Sequence, residues 1–190
     1  MDAIRDMLEQ IPVGAKLADD GIVAMWVTNK AACESLSTDP KRGVFRAWGV
    51  ELVATWTWLK VTAHGEPIVS VDSHWRRPWE RLLLARRPGA SSVALPAHRV
   101  IVAVPDVHSR KPHLRPLLAP FLTPTKPRSS ALRNVCGLEV FARNLTSGWW
   151  AWGNEVLLFQ HSSWWSVDGE DEEETENIPG DGSVQPPKKE

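Results

Sequence analysis

Tyrosine is absent from this 190-residue chain, and cysteine occurs only twice, as Cys33 and Cys136. Two thiols are too few for a disulfide framework or a four-thiolate zinc site. No apolar run approaches the roughly 18 residues that a membrane-spanning helix needs, so no membrane role is expected. The opening residues carry Asp2, Arg5 and Asp6 and no apolar h-region, which argues against a secretory signal and for a reducing intracellular setting. The G-x-S-x-G elbow, the Walker loop and the G-x-G-x-x-G fingerprint are all missing. His108, His113 and Cys136 do not keep a zinc spacing and read as loop residues, so no metal site is expected.

What is present is an ordinary globular composition, 43% hydrophobic and 24% charged, in a chain long enough for one cored domain and a tail. Its aromatic content is 11 Trp and 4 Phe. Tryptophans in that number serve core packing or form a flat stacking surface, because indole joins a large π face to a polar N–H. The net charge of −1 hides a division. The stretch 167–190 holds nine acidic residues and two lysines, which leaves the remainder at +6. That stretch has little to bury and is expected to be a disordered acidic tail. It would act as a solubilising segment, or as an acidic mimic of nucleic acid that screens a basic face. Two basic clusters supply such a face. One runs His74-Trp75-Arg76-Arg77-Pro78-Trp79-Glu80-Arg81, and the other His108-Ser109-Arg110-Lys111-Pro112-His113-Leu114-Arg115. Basic groups interleaved with aromatics suit a phosphate backbone with exposed bases.

Along the chain, Gly21 to Val27 reads as a buried strand of the kind covered on both faces, Lys30 to Leu36 as a short helix, and Val50 to Val61 as a strand with Trp56 and Trp58 on one face. Further strands are expected at Arg81–Ala85, Arg99–Val104 and Leu138–Ala142, with a helix over His113–Phe121 despite Pro116 and Pro120. The alternation predicts an α/β fold with a mostly parallel sheet. Such sheets bind ligands beyond the carboxyl ends of their strands. The loops that qualify are 28–30, 105–112 and 143–144.

Read in order, several segments resemble one family. Trp26-Val27-Thr28-Asn29-Lys30 is followed by Trp48-Gly49, Trp56-Thr57-Trp58-Leu59-Lys60-Val61-Thr62, Gly65-Glu66 and Arg76-Arg77-Pro78-Trp79-Glu80. Then come His108-Ser109-Arg110-Lys111-Pro112, Leu138-Glu139-Val140-Phe141-Ala142-Arg143-Asn144-Leu145, Gly148-Trp149 and Trp152-Gly153-Asn154-Glu155. Together they are similar to the eukaryotic adenosine or adenine N6-methyltransferases, in the methyltransferase-like protein 4 branch. The resemblance implies a class I, Rossmann-like methyltransferase sheet with flanking helices, S-adenosyl-L-methionine as cofactor, and methyl transfer to adenine N6 in RNA or DNA. It implies nuclear residence, otherwise cytoplasmic. Lys111 matches the family lysine that pairs with the cofactor carboxylate. Phe141, Arg143 and Asn144 match the strand end and loop around the ribose, and Asn154 matches the turn residue that holds the cofactor. Glu155 would face the adenine. Arg76, Arg77 and Arg110 would border the nucleic-acid groove.

Two departures stand beside the resemblance. The family's catalytic Asp-Pro-Pro-Trp has no counterpart: the single Asp-Pro, Asp39-Pro40, lies after the strand rather than before it. Ile11-Pro12-Val13 matches the segment that follows the motif, so the sheet is expected to be incomplete at its N-terminal side, and no catalytic residue is assigned. The stretch 124–137 is an atypical insertion inside a methyltransferase-like domain over 1–166. This chain alone is therefore expected not to methylate adenine. The alternative is a non-catalytic nucleic-acid-binding or scaffold partner of a methyltransferase subunit.

Overall fold

A computed structural model describes residues 1–90, 93–106, 110–122, 136–158 and 160. The expected acidic tail 167–190 lies outside the described residues, as does the expected insertion 124–137 apart from Cys136 and Gly137.

Two short helices, α1 (Asp2–Glu9) and α2 (Val13–Lys16), lead into β1 (Val23–Val27). Helices α3 (Ala31–Thr38) and α4 (Val44–Ala47) follow, then β2 (Glu51–Lys60), β3 (Trp79–Arg86) and β4 (His98–Ala103). Helix α5 (Leu114–Leu118) runs into a 3-10 turn at Ala119–Phe121, and β5 (Gly137–Val140) and β6 (Trp149–Trp152) complete the order. Pro116 sits in the first turn of α5 and Pro120 in the 3-10 turn, so the helix expected over 113–121 survives as a short one.

The main sheet has the order β1-β3-β2-β4. Here the expectation of a mostly parallel sheet is corrected. β3 runs against both β1 and β2, and only β2–β4 is parallel. The loop of 18 residues between β2 and β3 lets the chain double back, and the reversed strand inserts between two that share a direction. The reading of Gly21–Val27 as a strand buried on both faces is corrected too. Among the described residues β1 pairs only with β3, and all of it but Val27 is half-buried.

Alternation on β2 and β3 builds two cores. Leu83 and Ala85 face a cluster with Val27, Leu36, Val44, Phe45, Trp48 and Val50, roofed by α3 and α4. Leu82 and Leu84 face the other way, onto Ala54, Trp56, Trp58, Ile101 and Leu118 of α5. The α1 segment docks where the Trp48 indole N–H donates to Leu8 O at 3.1 Å. Trp56 and Trp58 are fully buried, and each satisfies its N–H, on Pro96 O at 2.8 Å and Ala103 O at 3.0 Å. Because β1, β2 and β4 share a direction, their carboxyl ends and the start of β3 lie along one edge. The register sets Val27 against Arg81, Leu59 against Trp79, and Lys60 against Ala103.

β5 and β6 form a separate two-stranded parallel sheet. Gly137 faces the Trp149 ring closely enough that a side chain there would overlap it. No helix among the described residues is long and apolar enough to cross a membrane.

Candidate functional site

Lys60, at the last position of β2, and Glu80, the second residue of β3, stand on neighbouring strands at the carboxyl edge. The Lys60 ammonium lies 2.5 Å from Glu80 Oε1, and the Lys111 ammonium 2.6 Å from Glu80 Oε2. Both ammonium groups also lie against the Trp58 ring, at 4.9 and 5.6 Å from its centroid. Burial pushes the Glu80 carboxyl up, but the hydrogen bonds and charges of Lys111 and Lys60 outweigh it and hold the group below its ordinary value. Glu80 is therefore an ionised carboxylate between two cations.

At the second sheet, parallel pairing brings two strand ends together. The Ala142 N–H donates to Trp152 O at 3.0 Å, and a side chain on Gly153 would run into the Ala142 backbone. This closeness sets Phe141–Asn144 beside Gly153–Glu155. Arg143 Nη1 donates to Glu155 Oε2 at 2.9 Å, with both side chains about one-third to two-fifths exposed. Phe141, at φ 60°, stacks on Trp152 with centroids 6.3 Å apart. Asn144 is half-buried and Asn154 exposed.

The two groups are stitched through the segment after Lys111. Arg115 Nη1 donates to Ser147 O at 2.6 Å, and the Thr146 hydroxyl and His113 Nδ1 lie 3.5 Å apart. The Lys111 loop and the loop between β5 and β6 are thus neighbours. Glu139, on β5, is pushed above its ordinary value by burial, which the charge of His113 partly opposes.

The basic residues fall in two loops. Arg76 and Arg77 lie between β2 and β3 at the carboxyl edge, both exposed. Arg77 donates to Val71 O at 3.2 Å and lies 5.3 Å over the Trp79 ring, while Trp75 beside them is 99% exposed. Arg110 pairs with Asp106. His108 and Ser109 lie outside the described residues. Among the described residues no group of His, Cys, Asp and Glu side chains could hold a metal.

Sequence reasoning did not assign Lys60 or Glu80 to the site. Twenty residues separate them, and only strand pairing makes them neighbours. The available signal was that each charge ends or begins a strand beside tryptophan, in Trp58-Leu59-Lys60 and Trp79-Glu80.

The MT-A70 family model matches residues 2–155, most of the chain. The chain belongs to the MT-A70 family. It is 53% identical over 165 residues to the N6-methyladenosine RNA methyltransferase MTA1 of Cryphonectria parasitica, covering 87% of this chain and 46% of that protein. It is 52% identical over 166 residues to the MTA1 of Pyricularia oryzae, covering 86% and 42%. It is 36% identical over 165 residues to the N(6)-adenine-specific methyltransferase METTL4 of Homo sapiens, covering 81% and 32%. The chain thus spans less than half the length of these MT-A70 relatives. The resemblance to the methyltransferase-like protein 4 branch and the mixed α/β fold agree with this membership. The donor set fits an S-adenosyl nucleoside in kind. It contains an ammonium for a carboxylate, an amide and a guanidinium for ribose hydroxyls, and an amide and a carboxylate for an adenine edge, with the ammonium now on Glu80 and the guanidinium on Glu155.

Proposed function

We propose that this MT-A70 domain supplies the donor-holding and nucleic-acid-facing parts of an adenine N6-methyltransferase. Lys111 would pair with the carboxylate of S-adenosyl-L-methionine. Phe141, Arg143 and Asn144 would line its ribose, and Asn154 and Glu155 its adenine. When bound, that group supplies an electrophilic methyl carried on sulfur. Arg76, Arg77 and Arg110 would border RNA or DNA, with Trp75 available to stack on a base. The observation that carries this reading is the closure of Phe141–Asn144 onto Gly153–Glu155 at the ends of two parallel strands, beside the Lys111 loop. Residence in the nucleus, otherwise the cytoplasm, is part of the same proposal.

The exposed Trp75, Arg76 and Arg77 at the carboxyl edge favour a second reading. In it the chain binds nucleic acid or scaffolds a methyltransferase partner subunit without performing transfer itself. One experiment separates the two readings. The purified chain is titrated with S-adenosylhomocysteine in a calorimeter, then incubated with labelled donor and adenine-containing RNA or DNA. The donor-holding reading expects nucleoside binding without turnover by this chain alone. Salt-sensitive RNA binding with no nucleoside binding would favour the scaffold reading instead.

A further inference from the structure

Lys60, Glu80 and Lys111 carry two positive charges and one negative, so the cluster holds one spare positive charge. Its three members are not equally fixed. Lys60 and Glu80 stand on paired strands, with side chains only 16% and 15% exposed. Lys111 stands in a loop and is 30% exposed. An incoming anion therefore meets Lys111, while Glu80 keeps Lys60 on its other oxygen. Trp58 lines the cluster beside both ammonium groups, and the water it excludes strengthens the interactions between the charges.

We propose that Glu80 is the resident counter-ion of the Lys111 subsite, anchored by Lys60, and that the pair sets how strongly this subsite takes a ligand carboxylate. Glu80 and Lys60 are positioning residues that act through Lys111. The proposal rests on the donor-holding reading above for the identity of the ligand, and on geometry alone for the charge exchange. Removing the Glu80 charge leaves two spare cations, so a carboxylate should bind more tightly. Removing the Lys60 charge leaves none, so Lys111 stays committed to Glu80 and a carboxylate should bind more weakly. A purely structural role would weaken binding in both variants.

The test uses the full 190-residue chain with Glu80→Gln and Lys60→Met, both of which keep side-chain volume. Each is titrated with S-adenosylhomocysteine and with 5′-methylthioadenosine, which lacks the carboxylate. The affinity ratio between the two nucleosides should rise about tenfold in Glu80→Gln and fall about tenfold in Lys60→Met, the scale of one unit charge within 4–6 Å. Methylthioadenosine affinity alone should stay within about twofold, since no charge in the cluster faces a group it retains. A ratio that falls in both variants, or does not move, overturns the proposal. If the unmutated chain binds neither nucleoside, the donor-holding reading fails. The charge exchange is then read with acetate, by NMR of ¹³C-methylated lysines. The Lys111 signal should shift at lower acetate concentration in Glu80→Gln than in the unmutated chain, and equal titrations would overturn it.

Discussion

In the four-stranded sheet, Trp56 and Trp58 are enclosed, and each indole N–H has a carbonyl partner. In the two-stranded sheet, Trp150 and Trp152 stand 74% and 63% exposed, on the same face as Leu138, with Phe141 beside them. The residue types are the same and the strands are similarly apolar. The difference is what lies over them. Helices roof both faces of the larger sheet, whereas the described residues put nothing over the outer face of β5 and β6. Tryptophan thus contributes core stability in one region and an open surface in the other. The candidate site straddles the two, with Lys111 tied to Glu80 of the larger sheet and Arg143 and Glu155 paired beside the small one.

The sharpest way to break this comparison is to delete one indole from each region. Trp58→Ala should cost about 3–5 kcal/mol in urea unfolding, because it opens a cavity in the core, while Ala103 O keeps the Val61 N–H as a partner. Trp150→Ala should change stability by no more than about 0.5 kcal/mol. Equal losses would mean that the small sheet is as enclosed as the large one.

Gly153→Val comes next. Its side chain must push against the Ala142 backbone, an overpacking cost of about 1–3 kcal/mol. Nucleoside affinity should fall with it, as Asn154 and Glu155 move from Arg143. Calorimetry on Gly153→Val beside Gly65→Val, which has open surroundings but is strained by its φ of 84°, separates local displacement of Asn154 and Glu155 from general destabilisation.

Trp75→Ala tests the exposed aromatic of the large sheet's edge. Affinity for single-stranded RNA should drop by about 1–3 kcal/mol, the scale of one stacked base, while the melting temperature stays put. A filter-binding series that shows no loss would remove Trp75 from the nucleic-acid face.

Acid and base should act oppositely on the two regions. Glu80 is held below its ordinary value of 4.5. Its contribution to stability is present above that value and is lost as pH falls through the lower folded value. Glu139 is raised above 4.5, so its contribution is complete below 4.5 and is lost as pH rises through the raised folded value. Urea melts across pH should show that Glu80→Gln removes the acid-side loss and Glu139→Gln the alkaline-side loss. Both variants shifting the same limb would contradict the assignment.

The smallest effect belongs to Glu34→Gln. It breaks a half-exposed pair with Arg81, 2.5 Å across from α3 to β3, and should cost under about 1 kcal/mol. That cost should vanish in high salt.

Five of the six strands are legible in the sequence because alternation and apolar runs are local. Val50–Val61 matches β2 within a residue at each end, and its alternation puts Trp56 and Trp58 on one face. The motifs around Lys111, Arg143 and Asn154 were legible for the same reason. Helices α1, α2 and α4 and strand β6 escaped that reading. The two four-residue helices have too little length for a helical period, and Trp149–Trp152 is almost uniformly aromatic, with no alternation to read.

Residue order alone determined the class of elements, the family and the chemical kinds of the candidate ligand groups, since each depends on neighbours in sequence. Strand direction and partnership belonged to tertiary structure. The reversal of β3, the edge position of β1, and the meeting of Lys60 with Glu80 all depend on which distant segments bury one another. Pairing energy is decided by the whole sheet, so no window of sequence contains it.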